Sequence, residues 1–336
     1  MQERRALEAR LTKVLTVVMP CHNRRDALQL ALESLRQQTY PPDGFEVIVV
    51  DQASTDGSRE LVRSIETPFE LRLIEQDAMY GISVSRNAGA EAAASPLVLY
   101  LDADHVAGPN VVQAHVTCHT AYPEHIACGR TLPYWPAYRS FVERVANPEA
   151  GLDRGDYEGP MPYYQAYGNN LSLSAATFRR IGPYDIHFKR LQDIEYACRA
   201  HQMGIQFVNC PLAISYHNHP RSLGDRCEYA ATVSAVPLLL ERYPDLRGAM
   251  PGLRDFEPID WRRDSTSAVR KKLRARFYGL APVRWSFYQM LLLLNRYEIL
   301  PRLAKALYWR LVQGCGFAGF SKGLAQTRGK LVEGSA

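Results

Sequence analysis

Four short apolar runs in the first hundred residues limit what this chain can fold into more than any other feature. Residues 15–19, 46–50, 71–75 and 97–101 are too short for buried helices, rich in Val, Ile and Leu, and bounded by turn-formers or charge, so they read as buried strands. Helical signals fill the gaps. Segment 25–38 carries apolar residues at 27, 28, 31, 32 and 35; segment 58–65 follows Thr55 and Asp56, either of which can cap it; segment 82–94 is Ala-rich and opens after Gly81. Strand and helix alternating at this spacing predict βαβ units, a parallel sheet and the α/β class. Such sheets bind ligands beyond the carboxyl ends of their strands. Asp51, Asp102 and Asp104 stand at those ends.

From about residue 109 the pattern loosens. A helix is predicted at 111–121, loops with short strands across the Tyr-, Pro- and Gly-rich 130–167, a strand at 170–174, a helix at 193–203 and strands at 206–208 and 213–216. After His219 the reading is helical, with segments at 228–242, 267–278, 285–295 and 303–312 separated by Pro and Gly.

Charge divides the chain unevenly. Residues 262–336 hold fifteen Lys and Arg against three Asp and Glu, so they carry the basic character, and the preceding part is net acidic. The seven cysteines include no C-x-x-C pair and are odd in number, which excludes a disulfide scaffold and a zinc cluster and predicts reduced thiols in a cytoplasmic protein. The charged N-terminus does not read as a secretory signal, and no stretch is long enough to span a bilayer.

Three motifs carry chemistry. In L-D-A-D-H at 101–105, two carboxylates two residues apart follow a buried strand and can face one pocket, where carboxylate oxygens suit Mg²⁺ or Mn²⁺ bound with substrate phosphate. In VVDQASTDGS at 49–58, Asp51 ends a strand and can accept hydrogen bonds from a base or ribose; a capped turn with no ligand is an equal reading. In GISVSRNAG at 81–89, Arg86 and Asn87 near a helix start can meet phosphate or base edges.

Taken in order, these motifs resemble family 2 glycosyltransferases of the GT-A fold. The resemblance begins at VVMPCHNR, 17–24, which is similar to the family's opening strand and P-x-Y-N-R turn. It continues through Asp51, Arg86-Asn87 and the D-x-D, then G-N-N-L-S-L at 168–173, the RR-x-G-x-[FY]-D-like run from Arg179 to Asp185, and L-Q-D-I-E at 191–195. It covers about residues 14–220.

The resemblance implies a catalytic domain over 1–220, with a nucleotide half at about 14–108 and an acceptor half at 109–220, and a basic helical extension over 221–336. It implies a nucleotide-diphosphate sugar donor, UDP-sugar favoured, held by Pro20, Asp51, Arg86, Asn87 and Asp102. Asp104 would ligate Mn²⁺ or Mg²⁺, completed by a late histidine, His217 in preference to His219. Asp193 would act as general base for an inverting transfer to a saccharide or lipid-linked acceptor. Trp135, Tyr167, Gly168, Asn169 and Gln192 would line the acceptor side. The usual Glu before the base is Gln192 here, and a neutral amide cannot raise the base's pKa by like-charge repulsion. Helix capping is the other reading of Asp193.

The tail combines basic helices with Phe277, Tyr278, Trp285, Phe287, Tyr288, Tyr297, Tyr308 and Trp309, which suits an anionic membrane surface and predicts peripheral attachment to the inner face of the plasma membrane. A helical cap with solvated charge is the alternative. No nucleic-acid motif accompanies the charge, and a homodimer is compatible. A sugar-phosphate nucleotidyltransferase is disfavoured because 20–24 offers no Gly-rich loop. A processive synthase is disfavoured because Arg284-Trp285 lacks the Gln of Q-x-x-R-W. A catalytically inactive nucleotide-sugar- or glycan-binding module of the same fold is the remaining alternative.

Overall fold

The computed structural model describes residues 13–138, 140–146, 153–218 and 222–333. They fall into two compact units. Described residues up to Tyr134 and from 153 to 218 form the first; 135–146 and those from 222 onward form the second.

The first unit is built on β1 Leu15–Cys21, α1 Arg25–Leu35, β2 Phe45–Gln52, α2 Ser58–Ser64, β3 Glu70–Gln76, α3 Ile82–Ala92, β4 Leu97–Leu101, β5 His105–Ala107, α4 Val111–Ala121 and β6 Ile126–Pro133. After α5 Phe141–Ala146, which belongs to the second unit, it resumes with β7 Gly159–Pro160, β8 Asn170–Ser174, α6 Ala175–Ile181, α7 Gln192–Gln202 and β9 Phe207–His217. Among the described residues the sheet has nine strands, in the order β3-β2-β1-β4-β8-β6-β9-β5 with β7 beside β9.

The first four strands are parallel, as the alternation predicts. β1, β2 and β4 are buried along nearly their whole length, as strands covered by helices on both faces must be. One apolar cluster, with Leu28, Leu32 and Leu35 of α1, covers one face; another, with Val18, Ile48, Tyr100 and Tyr196, covers the other. β8 then runs antiparallel to β4 and reverses the sheet.

Pro20 marks where a crevice opens. β1 pairs with β2 through Cys21↔Asp51, but its pairing with β4 ends at Val18↔Tyr100. The absent N–H of Pro20 therefore falls past the β4 ladder, where a proline is tolerated. The strand order reverses direction around β1 and β4, and ligands of open α/β sheets bind at such switch points.

Three local expectations change. The α2 cap is Gly57, not Thr55 or Asp56; Asp56 accepts from Ser58 N at 3.1 Å and from Arg25 N at 2.8 Å, tying together the starts of α1 and α2. The segment read as loops with short strands from 130 begins inside a longer strand, the 8-residue β6. The strands expected at 206–208 and 213–216 are one, β9. Pro211 is absorbed by a bulge, where the β6 partner jumps from Gly129↔Cys210 to Arg130↔Ile214.

Asn170 satisfies this bulge, its amide nitrogen donating to the carbonyls of Arg130 at 3.1 Å and Ala213 at 2.8 Å. Its Oδ1, 2.9 Å from His115 Nε2, must then accept. His115 Nδ1 is left to accept from Ser172 Oγ at 2.7 Å, and Ser172 accepts from His119 Nε2 at 2.8 Å. The chain of donors runs one way, with His115 neutral. Burial pushes both imidazoles down to about 4. A folded-state pKa below the unfolded value means the unfolded chain binds more protons in between, so this contribution is intact above about pH 6.5 and is lost as pH falls toward 4. By pH 5 each histidine should have cost about 2 kcal/mol of stability. Urea unfolding at pH 7 and pH 5 should show the loss, and His119→Gln should shrink it by roughly half; an unchanged pH dependence would refute the neutral network.

The second unit contains α5, α8 Leu223–Ala231, α9 Val236–Arg242, α10 Leu246–Ala249, α11 Thr266–Gly279, α12 Ala281–Tyr297 and α13 Pro301–Glu333. Its core includes Val142, Ala230, Leu291, Leu294, Leu307 and Leu311. The helix expected at 228–242 is broken by a 3₁₀ turn, Thr232–Ala235, with Pro237 in the first turn of α9. The last helix, expected to end at 312, continues to Glu333. Its glycines are close-approach positions: a Cβ on Gly319 would lie 2.2 Å from the carbonyl oxygen of Ala231, and one on Gly323 1.9 Å from that of Ser234. Packing backbone against backbone outweighs the ~1 kcal/mol each helical glycine costs. Among the described residues no helix is long and apolar enough to cross a membrane, and none of the seven cysteines is in a disulfide.

Candidate active site

The site is assembled at the carboxyl ends of β1, β2 and β4. At the end of β2, Asp51 is wholly buried. Its Oδ1 accepts from Arg59 Nε at 2.5 Å and from Ser54 N at 3.0 Å, while Oδ2 is buried with no partner among the described residues. Arg59 is itself anchored, reaching the Gln76 carbonyl at 2.6 Å and Glu75 Oε2 at 3.3 Å. A carboxylate fixed through one oxygen thus keeps the other ready to accept.

The adjoining loops are locked. Asn23 Oδ1 accepts from Thr55 N at 2.8 Å, Ser54 Oγ accepts from Asn23 N at 2.8 Å, and His22 Nδ1 lies 2.5 Å from the Gln52 carbonyl. Asn23, Ala53 and Leu191 are left-handed non-glycine residues, with φ of 50°, 51° and 58°. Such backbone costs roughly 1–3 kcal/mol per residue and collects at functional sites. All three lie in or beside the segments the motif reading singles out.

α3 supplies the cation. Gln52 clamps Gly81 at the helix start, Nε2 donating to its carbonyl at 2.8 Å and Oε1 accepting from its N–H at 2.9 Å. One turn on, Arg86 is 2% exposed and donates through Nη2 to Asp102 Oδ1 at 3.1 Å. Its guanidinium lies 5.8 Å from the centre of the Tyr100 ring and 5.5 Å from that of Tyr184. Nε and Nη1 have no partner among the described residues. Burial disfavours the charge of Arg86, but Asp102, Tyr184 and Asp193 more than offset it, so its pKa is raised. Burial and Asp104 raise that of Asp102 against the pull of Arg86.

Gly168 is required by this arginine, since a Cβ there would sit 2.5 Å from Nη1. The next residue, Asn169, accepts from Asp102 N through its carbonyl at 3.4 Å. Asn169 Oδ1 and Gln192 Oε1 are buried without partners among the described residues. Asn87 has a different place: its amide donates to the Tyr184 carbonyl at 2.9 Å and accepts from Tyr184 N at 2.8 Å, pinning the segment before α7.

Past β4 the chain turns into β5, and β5 pairs antiparallel with the end of β9, His105 opposite His217. Asp104 Oδ2 lies 3.7 Å from His217 Nε2 and 3.9 Å from Arg24 Nε. One ligand atom from each of Asp104, His105 and His217 falls within 4.8 Å of the others, a set that fits one divalent cation. His105 is not among the ligands that the sequence reading proposes. Its signal was adjacency to Asp104, but only the β5–β9 register brings it opposite His217. Its Nδ1 is 2.9 Å from Ser215 Oγ, and ligating histidines commonly hold their second nitrogen this way. His219 lies outside the described residues.

Asp193 is in the first turn of α7, whose N-cap is Leu191, so it is not the capping residue. Its Oδ1 accepts from Ile194 N at 3.0 Å. Tyr167 stacks beneath Arg154, ring centre 5.5 Å from the guanidinium carbon. Trp135 belongs to the second unit, half exposed and edge-on to Tyr138.

Comparison with known proteins agrees with this geometry. Residues 16–149 match the model of glycosyl transferase family 2, and the chain belongs to that family. It is 31% identical over 258 residues to validoxylamine A glucosyltransferase of Streptomyces hygroscopicus subsp. limoneus, covering 68% of this chain and 56% of that protein. The chain thus spans less than two thirds of the length of two curated relatives, 56% and 60% for the two validoxylamine A glucosyltransferases. Among solved structures it is similar to the Pyrobaculum calidifontis mannosyltransferase PcManGT in complex with GDP-Man and Mn²⁺, with a TM-score of 0.58 at 18% identity over 92% of this chain and 87% of that one. It also resembles residues 1–349 of S. aureus TarS in complex with UDP, with a TM-score of 0.53 at 14% identity over 94% and 91% of the two chains. The fold is that of the GT-A glycosyltransferases.

Proposed function

We propose that this chain transfers one sugar from a nucleotide-diphosphate donor, UDP-sugar first among candidates, to the hydroxyl of a saccharide or lipid-linked acceptor, with inversion at the anomeric carbon. The observation that carries the reading is the cluster of Asp104, His105 and His217 beside the buried Arg86–Asp102 pair, at the switch point of the sheet. UDP and GDP-Man are bound by structural neighbours of the same fold.

In this reading the orphaned oxygen of Asp51 accepts from the nucleobase or ribose, and Arg86 with Asp102 holds the ribose and phosphate side. Pro20 bounds the crevice. Asn87 acts through its clamp on Tyr184. Asp104, His105 and His217 would hold Mn²⁺ or Mg²⁺, and two imidazoles favour Mn²⁺. The ion's chemistry is to neutralise the departing diphosphate. Asp193 takes the proton as the acceptor oxygen bonds to the anomeric carbon and the carbon–oxygen bond to the diphosphate breaks. Gln192 and Asn169, each with a buried acceptor oxygen, and Gly168 and Tyr167 are assigned to the acceptor side.

The test is a thermal-shift screen against UDP, GDP and TDP with and without Mn²⁺, on the wild type and Asp104→Ala. A ligand at a hundred times its Kd stabilises the folded state by about 2.7 kcal/mol, a shift of several degrees. One nucleotide should raise the melting point only with Mn²⁺, and Asp104→Ala should abolish the rise. No shift with any nucleotide would sink the reading. A shift without Mn²⁺-dependent hydrolysis of any nucleotide sugar would leave a binding module.

A further inference from the structure

The helical unit carries a surface that the transfer chemistry does not use. α12 buries Leu291 and Leu294 in that unit's core and turns its other side outward. Trp285 is 65% exposed, Leu293 55%, Tyr297 58% and Leu300, just past the helix, 57%. The spacing of eight and four residues places Trp285, Leu293 and Tyr297 on one side of the helix, with exposed Gln289 between the first two, and Leu300 follows the helix end. Leu292 and Ile299 add to it. Single exposed apolar residues are ordinary, but a contiguous run marks an interaction surface.

Apart from Glu298, the charged residues bordering this stripe are cationic. Arg296 lies over the Tyr297 ring at 5.7 Å. Arg302, Lys305 and Arg310 are exposed on the first turns of α13, next to half-exposed Trp309. None of these four cations has an ion pair among the described residues, whereas the one acid at the corner, Glu298, is matched by Arg144 at 3.1 Å. A second copy of the chain meeting this face about a two-fold axis would set the same cations against one another. An anionic lipid surface accepts both components: Trp, Tyr and Leu enter the headgroup boundary and Arg and Lys meet phosphate.

We propose that the α12–α13 corner, from Trp285 to Trp309, docks on an anionic phospholipid bilayer by shallow insertion of Trp285, Leu293, Tyr297 and Leu300. This locates the membrane contact expected from the tail sequence and rests on that expectation, not on the transfer chemistry. The assay contains no nucleotide, so its failure leaves the transferase reading standing.

The experiment is co-sedimentation of the full chain with vesicles of phosphatidylglycerol and phosphatidylcholine, against phosphatidylcholine alone, at low and physiological salt. The wild type should pellet with anionic vesicles only, less at higher salt. Each cation near such a surface is worth about fivefold in partitioning. Arg302→Glu with Lys305→Glu, and separately Leu293→Glu with Tyr297→Glu, should each lower partitioning at least tenfold. All four positions are exposed, so melting temperatures should hold, and that is measured alongside. Wild-type protein left in the supernatant would overturn the proposal. So would a loss confined to the charge-reversed pair, which marks polyanion binding without insertion. A wild-type dimer that Leu293→Glu with Tyr297→Glu dissociates, with no vesicle binding, would assign the face to a second copy instead.

Discussion

Replacing Asp193 with Asn is expected to lower sugar transfer by about 10²–10⁴-fold while leaving metal-dependent nucleotide binding in place. The change is isosteric, and the amide oxygen can still accept from Ile194 N as Oδ1 does at 3.0 Å. What disappears is the capacity to take a proton. The neighbouring Glu195 cannot substitute: it is fully buried and engaged by Arg199 through both oxygens, at 2.8 and 3.0 Å. Turnover should be measured with the nucleotide that scores in the thermal-shift screen, alongside that shift on the variant. A variant that keeps more than a tenth of wild-type turnover would move the base elsewhere. A variant that loses the nucleotide shift as well would mean Asp193 serves donor binding.

The second large effect is expected at Arg86. Arg86→Met should cost on the order of 3 kcal/mol of stability and remove the nucleotide-dependent thermal shift. The guanidinium is buried between Tyr100 and Tyr184 and is the cation facing Asp102, whose carboxyl is raised by burial and by Asp104. Methionine fills much of the volume but leaves that carboxyl without its partner, and stranding one member of a largely buried pair is the costly case. Adding Asp102→Asn should recover part of the stability, and urea denaturation of both single variants and the double closes the cycle. A single variant as stable as the wild type would show that the pair holds nothing together.

Much of the first unit was legible residue by residue. The strands at 97–101 and 170–174 and the helix at 111–121 stand where their periodicity predicts, because short apolar runs between turn-formers have few other ways to hide. The motif order also carried the family, since Asp51, Arg86, Asp102 and Asp104 are all brought to one edge of the sheet by local βα connections. What misled was local chemistry overridden by packing. The last helical segment reads to 312, yet α13 runs on through Gly314, Gly319 and Gly323, where neighbouring backbones need the lack of a Cβ. Residues 206–208 and 213–216 read as separate strands, yet a bulge satisfied by Asn170 keeps β9 continuous. Asn87 holds Tyr184, 97 residues away, through both ends of its amide, a contact that no local pattern announces.

By itself, then, the order of residues determined the parallel half of the sheet, the acidic strand ends and the family, since all of these depend on neighbours within one βα unit. Only the tertiary structure decided which histidine stands beside Asp104, which atom of Asp51 is left to accept, and why residue 168 must be glycine. Each of those depends on register or contact across the fold: His105 opposite His217, Arg59 reaching back to Asp51, Arg86 lying against the turn before β8. Contacts between residues dozens of positions apart leave no period in the chain, and they are where this site acquires its geometry.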